Sequence, residues 1–248
     1  MCTFYFSILL SLKKALLHKI TMSVSFPVLL CLVLATTNAK ICPTLRSAAK
    51  FTVVAASSVS NAGSTIINGN VAMSPSISLT GFNPPGVIYG VKQLGNAVAQ
   101  KAQKDLTSAY NYLKSAPLTA QMTGVDLAGK TLGPGIYKFD STAAIETPAG
   151  ILTLSGAGIY IFQVGSALKT SGNSQIQTIN GANAACVFWQ VGSSATLGQN
   201  SIFVGNLLAY ASVKFAYGIR LTGSVYARTA AISFNTNIII GQQNCSVC

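Results

Sequence analysis

Gly158-Ile159-Tyr160-Ile161-Phe162-Gln163-Val164-Gly165-Ser166 and Val187-Phe188-Trp189-Gln190-Val191-Gly192-Ser193 are two versions of one pattern, an aromatic, β-branched run closed by Val-Gly-Ser, set about 27 residues apart. Gly135-Ile136-Tyr137-Lys138-Phe139 opens the same series. A second echo, at a step of 18, joins Gly205-Asn206-Leu207-Leu208-Ala209 to Gly223-Ser224-Val225-Tyr226-Ala227, with a third copy at Gly69-Asn70-Val71-Ala72. Units of about 18 to 27 residues, each with room for two or three short strands, are the signature of stacked rungs rather than of independent sheets. Rungs lie about 4.8 Å apart, so six or seven of them make a column roughly 30 Å tall. A sandwich of seven or more evenly spaced strands would explain the strand content but not the 18-residue echo.

One segment breaks the strand pattern. Leu94, Val98, Ala102, Leu106, Ala109 and Leu113 recur at steps of four and three, the stripe of an amphipathic helix. The spacing predicts a helix over about 89–115, stopped before Pro117 and roughly 40 Å long, enough to run beside the whole column. Gly81-Phe82-Asn83-Pro84-Pro85-Gly86 before it is a turn-rich connection.

The 248 residues are 50% hydrophobic but only 8% charged, with 16 Lys and Arg against 4 Asp and Glu. An ordinary soluble domain carries about 25% charged residues, so this surface is built mostly of Ser, Thr, Asn, Gln, Gly and Ala, or else lies in a membrane. The only long apolar stretches, Phe4–Leu17 and Val24–Ala35, sit at the start with Lys13, Lys14, His18 and Lys19 among them. They read as a secretory leader, starting at Met1 or at Met22, with cleavage after Thr37-Asn38-Ala39. Removing residues 1–39 takes away the single His and leaves 13 of the 16 basic residues against the 4 acidic ones, a net charge of +9. Residues 40–248 are then one secreted domain with no membrane contact. Cys42, Cys186, Cys245 and Cys248 remain, an even number in an oxidising compartment, and three connectivities are open for two disulfides. Cys245-Ser246-Val247-Cys248 has the C-x-x-C form, but without a second such pair or a His it suits a structural tie better than a metal.

Excess positive charge raises the question of nucleic acid. Binders gather Lys and Arg on a stripe interleaved with stacking aromatics. Here Lys92, Lys101, Lys104 and Lys114 fall on the expected helix, where a solvated face explains them, and no nucleic acid is expected. Residues 170–213 carry no charge at all over 44 positions, while Ser, Asn, Gln and Thr abound. Catalysis is not expected either. Secreted β-helical enzymes need positioned acids, bases or a metal, and only Asp105, Asp126, Asp140 and Glu146 are on offer, with Asp140 and Glu146 poorly spaced as a pair. No cofactor or metal is expected.

The runs TLGPGIYKF (Thr131–Phe139), GIYIFQVGSAL (Gly158–Leu168), CVFWQVGSSATLG (Cys186–Gly198), GNLLA (Gly205–Ala209) and GSVYARTAAISF (Gly223–Phe234) resemble those of the microbial secreted ice-binding (antifreeze) proteins, in the same order. FTVVAASSVSNAGSTIINGNVAMSP (Phe51–Pro75) is similar to that family's first segment. The resemblance implies a mainly β fold: a right-handed, roughly triangular β-helix with strands partly out of sequence order, and a long helix packed alongside. It also implies that a flat, uncharged face meets an ice surface, without catalysis, in a monomer that slows ice growth and recrystallisation.

Physical chemistry asks the same of such a face. A charge keeps its own hydration shell, whereas stacked strands repeat equivalent side chains about 4.8 Å apart across the sheet and about 6.6 Å along it, and Thr fills such sites stiffly. Turns of the form Thr-Gly-x-Thr lead into the ice-facing strands of the family. The matching places here point to Thr65 and Asn68 on one rung, Thr170, Asn173, Ser174 and Gln177 on another, and Asn200, Ser201 and Thr222 on later ones. Tyr217 and Arg220 are bulky where the pattern wants small hydroxyls. Phe139, Tyr160, Phe162, Phe188 and Trp189 are expected in the core. The competing reading is an adhesin or matrix-polysaccharide module on the same fold.

Overall fold

The computed structural model describes residues 43–242 and Cys245, which belong to one compact unit. The expected leader, Cys42 and Cys248 lie outside the described residues. The unit is a solenoid of short parallel strands on three faces. On the first, the ladder passes in order through Ala120–Gln121, Gly135–Phe139, Tyr160–Val164, Val187–Val191, residues 206–209, residues 224–227, Val53–Ala55, Val71–Met73 and Lys92–Leu94. The second is a seven-stranded sheet: Ala143–Ile145, Leu168–Thr170, Ala195–Leu197, Val213–Tyr217, Ile232–Asn235, Val59–Ala62 and Leu79–Thr80. The third runs from Thr131–Leu132 through Ile151–Ser155, Gln175–Ile179, residues 202–204, residues 220–222, Ile238–Ile240 and Ile66–Asn68 to Val87–Tyr89.

The spacings of the sequence echoes are the offsets of the ladder. Phe162 pairs with Trp189 and Gly205 with Gly223. Ile202–Ala209 and Arg220–Ala227 run unbroken over the corner from the third face to the first, and the bend falls on Gly205 and Gly223, at φ of 112° and 143°. A Cβ at Gly223 would meet the Gly205 carbonyl oxygen at 2.0 Å, so the corner admits only glycine there.

Spatial and chain order part company at one seam. Val53–Ala55 pairs on one side with residues 225–227 and on the other with Val71–Met73. Val59–Ala62 likewise joins Ile232–Asn235, and Ile66–Asn68 joins Ile238–Ile240. The N-terminal rungs therefore continue the column where the C-terminal rung ends.

Inside the column, Phe139, Tyr160, Phe162, Trp189, Phe203, Leu221 and their neighbours form one core. Phe162 lies flat on Trp189, ring centres 3.9 Å apart at 9°, and Tyr137 stacks on its other side at 5.4 Å. The Trp189 indole N–H donates to the Val204 carbonyl at 3.0 Å, which keeps its polar edge satisfied in the dry interior. Of the five aromatics expected in the core, all are buried, but Phe188 points outward into a second layer.

That layer belongs to helix α1, Ala97–Ser115. Ala99, Ala102, Leu106, Ala109, Tyr110 and Leu113 pack on Val54, Ala72, Ile136, Ile161, Phe188, Leu208 and Tyr226 of the first face. Strands such as Tyr160–Val164 are consequently buried on both sides. The helix is shorter than its periodicity suggests: Val87–Tyr89 and Lys92–Leu94 are strands, Gly95 turns the chain at φ 65°, and Asn96 caps the start by accepting from the Ala99 N–H at 3.0 Å. Leu94 fitted the helical stripe by coincidence of a period-2 strand, and Val98 faces solvent. At the other end the Gln163 amide donates to the Leu113 and Ala116 carbonyls at 2.7 Å each. Cys186 is disulfide-bonded to Cys245, which draws the C-terminal segment onto this side of the column and leaves the C-x-x-C unpaired within itself.

Candidate functional site

With the first face covered by α1, two sheet faces meet solvent. On the second, the register stacks the central residue of each strand as Ala144, Lys169, Thr196, Lys214, Ser233, Ser60 and Thr80, all facing outward but Ala144 itself covered. Two positions earlier a second column forms from Ala167, Ser194, Ser212, Ala231, Ser58 and Ser78, tied rung to rung through their carbonyls. The Ser194 and Ser212 hydroxyls are 3.0 Å apart. Apart from Lys169 and Lys214, the side chains are Ala, Ser or Thr, whose heights differ by an atom or two. Strand geometry spaces the array by about 4.8 Å and 6.6 Å. Toward the next corner Ala62 and Asn235 extend the end that carries Ser60 and Ser233. At the opposite end Glu146, Lys169, Thr170 and Thr196 line a shallow hollow of about 300 Å³.

The third face is rougher. One outward column reads Ile151, Gln175, Ile202, Arg220, Ile238, Ile66 and Val87. Beside it stand Thr131, Thr153 and Gln177, then Val204, Thr222, Ile240, Asn68 and Tyr89. Ile151, Ile179, Ile202 and Tyr89 are exposed.

The nine residues singled out by sequence separate into three groups. Asn68, Gln177 and Thr222 share the outward column of the third face. Asn173 and Asn200 form the corner between the second and third faces, at φ of 59° and 56°, and each backbone N–H donates to the corner of the next rung at 2.8 Å. Thr65, Thr170, Ser174 and Ser201 are corrections: all four are buried, with exposures of 0–8%, and turn inward rather than onto a solvent face, Thr170 reaching only the floor of the hollow beside Lys169. Their hydroxyls serve the interior instead. Thr65 accepts from the Asn237 N–H and Thr170 from the Gly198 N–H, while Ser174 and Ser201 meet at 3.1 Å and both donate to the Ser171 carbonyl. The corner carbonyls and amides are thereby satisfied where water does not enter.

Charge is placed differently from the sequence expectation too. The 44 uncharged residues wind through all three faces, and Lys169 and Lys214 at their two ends come to flank Thr196 on the second face. Arg220 stands on the third face. Among the acids, Asp105 accepts from the Ser47 hydroxyl and from Lys101 at 3.2 Å; the Ser47 bond holds its carboxyl below the ordinary range. Asp126 accepts from the backbone N–H groups of Ala128 and Glu146, and Asp140 pairs with Lys138 at 2.9 Å. Three of the four carboxylates are thus engaged in holding turns or ion pairs. Among the described residues no group of three His, Cys, Asp or Glu side chains is arranged for a metal, and no helix is long and apolar enough to cross a membrane.

Comparison with known proteins bears on the fold and the family. The sequence model of the family described as Ice-binding-like matches residues 53–240. An ice-binding protein of Nostoc sp. (strain HG1) is 41% identical over 198 residues, 78% of this chain and 72% of that one. The crystal structure of an ice-binding protein from the Antarctic ascomycete Antarctomyces psychrotrophicus is 35% identical, with a TM-score of 0.77 over 82% of this chain and 99% of that one. An ice-binding protein from an Antarctic biological consortium superposes with a TM-score of 0.78 at 34% identity. With its solenoid, lateral helix and seam spanned by a match from the first strand to the last, this chain belongs to the ice-binding-like family.

Proposed function

We propose that this protein binds ice, and that it does so with the second face of the solenoid. The observation that carries the reading is the register of that face: two columns made of Ala, Ser and Thr except at Lys169 and Lys214, stacked over successive strands of a parallel ladder whose register shifts only between Lys214 and Tyr217. Methyls and hydroxyls at fixed two-dimensional spacings can hold water in a regular arrangement without imposing a charge's hydration shell. The third face offers the expected Asn68, Gln177 and Thr222, but set among Ile, Arg and Tyr of unequal height. The exposed corner residues Asn173 and Asn200 border the second face and extend it.

The protein acts as a secreted monomer, residues 40–248, without catalysis, cofactor, metal or nucleic acid. It slows both ice growth and recrystallisation. The deciding experiment measures thermal hysteresis and crystal shape with purified protein carrying Ser60→Tyr and Ser233→Tyr, or Asn68→Tyr and Thr222→Tyr. Loss with the first pair and retention with the second supports the assignment; the reverse moves the site to the third face. Absence of hysteresis and ice shaping in the unsubstituted protein, together with binding to polysaccharide, would establish the adhesin instead.

A further inference from the structure

Resting on that assignment of the face, we propose that Lys169 and Lys214 set the limit of its ice-binding area, acting as the specificity-determining residues that confine contact to one end of the sheet. The two lysines occupy the same outward column as Ala144, Thr196, Ser233, Ser60 and Thr80, with Thr196 alone between them. Two strand spacings, about 9.6 Å, separate them. Each raises a four-carbon stem and a strongly hydrated ammonium above a plane otherwise set by methyl and hydroxyl groups. Desolvating such a group against a neutral lattice is unfavourable, so each ammonium keeps its water and holds the lattice off. Both are exposed, and among the described residues neither has an acidic partner within ion-pair distance.

The consequence is a face in two parts. Beyond Lys214, the strands Ile232–Asn235, Val59–Ala62 and Leu79–Thr80 present an uncharged run that ends where Thr80 and Lys92 line a second hollow of about 330 Å³. On the other side Thr196 is enclosed by lysines, and the hollow beside Lys169 and Glu146 departs from flatness. Three of seven strands are therefore available to a continuous contact. Threonine at both positions would make the column Ala, Thr, Thr, Thr, Ser, Ser, Thr.

The test is Lys169→Thr with Lys214→Thr in the full chain, read by thermal hysteresis at equal concentration and by the growth rate of crystals just below the hysteresis point. Hysteresis is expected to rise about twofold or more, following the lengthening of the uncharged run from three strands to seven. Lys104→Ala with Lys114→Ala on the exposed side of α1 removes the same charge elsewhere and should leave activity unchanged. Ser233→Lys, which puts an ammonium into the uncharged run, should lower it, and provides a reading if the double threonine variant folds poorly. No gain from the first pair in a folded protein, or an equal gain from the helix pair, overturns the inference. If Ser60→Tyr and Ser233→Tyr also leave activity intact, the face assignment itself has failed; if they abolish it, only the role of the lysines has.

Discussion

Phe162→Ala is the most informative perturbation of the core. Phe162 is fully buried, with one ring face on Trp189 at 3.9 Å and the other on Tyr137 at 5.4 Å, so it is the middle of a three-ring stack running up the column. Removing a buried Phe side chain costs about 3–5 kcal/mol in transfer and cavity terms, and contact on both ring faces places this site near the middle of that range or above. The parallel ladders on either side, Gly135–Phe139 and Val187–Val191, hold the backbone and prevent the cavity from collapsing. For a domain of about 200 residues, 1 kcal/mol corresponds to roughly 2–4 °C, so about 4 kcal/mol lowers Tm by roughly 8–16 °C. Circular dichroism in the strand region measures the shift. Trp189 is the single tryptophan, so its fluorescence reports the same event locally, changing at low temperature where the protein is still folded. Ice activity measured near 0 °C should persist, because the second face is untouched. A Tm within about 2 °C of the parent, or an unchanged tryptophan spectrum, would refute the stacked core as the main source of cohesion.

Further outcomes follow from the edges of the fold. Asn96→Ala deletes the cap on α1 and should cost about 1 kcal/mol, seen as a small Tm decrease without loss of activity. Cys186→Ser, or reduction of the Cys186–Cys245 bond, releases a loop with a sequence separation of 59, worth about 4 kcal/mol on the chain-entropy account, and chemical denaturation should detect it. Asp105 has a folded pKa below its unfolded value through its bond to Ser47, so its contribution is complete above the unfolded carboxylate range and disappears as pH falls through the folded one. Asp105→Asn should therefore lower stability at neutral pH and make the acid limb shallower. A denaturation series between about pH 6 and 2 compares the two slopes.

The rung architecture was open to reading because ladder offset and sequence echo are one quantity: a Phe 27 residues before a Trp stacks on it, and a Gly 18 residues after a Gly turns the same corner. The functional face was harder. Along a strand, in and out alternate, but at the corners from the second face to the third a left-handed residue resets the alternation. Ser174 and Ser201 follow Asn173 and Asn200 directly and so turn inward, as Ile219 does after Gly218 and Asn237 after Thr236. A Ser at such a place and a Ser at an exposed one are the same letter in the sequence. Glycine or asparagine at positive φ is the sign that could have separated them, with the hydrophobic Ile219 as the clue that the following site is internal. The start of α1 was misplaced for a related reason, since Lys92–Leu94 contributes one apolar residue that either period accommodates.

The seam between Val53–Ala55 and residues 225–227 has a temporal meaning. The strands made first in synthesis find one of their two neighbours only when nearly all the other rungs have followed, across some 170 residues of chain. Closing so long a loop is slow, and until it closes, Val53–Ala55, Val59–Ala62 and Ile66–Asn68 each present an open edge able to pair with another chain. Completion is thus registered late: a molecule truncated before Val225 has no partner for Val53–Ala55, one truncated before Ile232 has none for Val59–Ala62, and only a chain that reaches Ile240 covers all three edges. A chain rewired to start at Pro117 and pass from Ile240 through a short linker to Phe51 would lay down its rungs in spatial order and should fold without that delay.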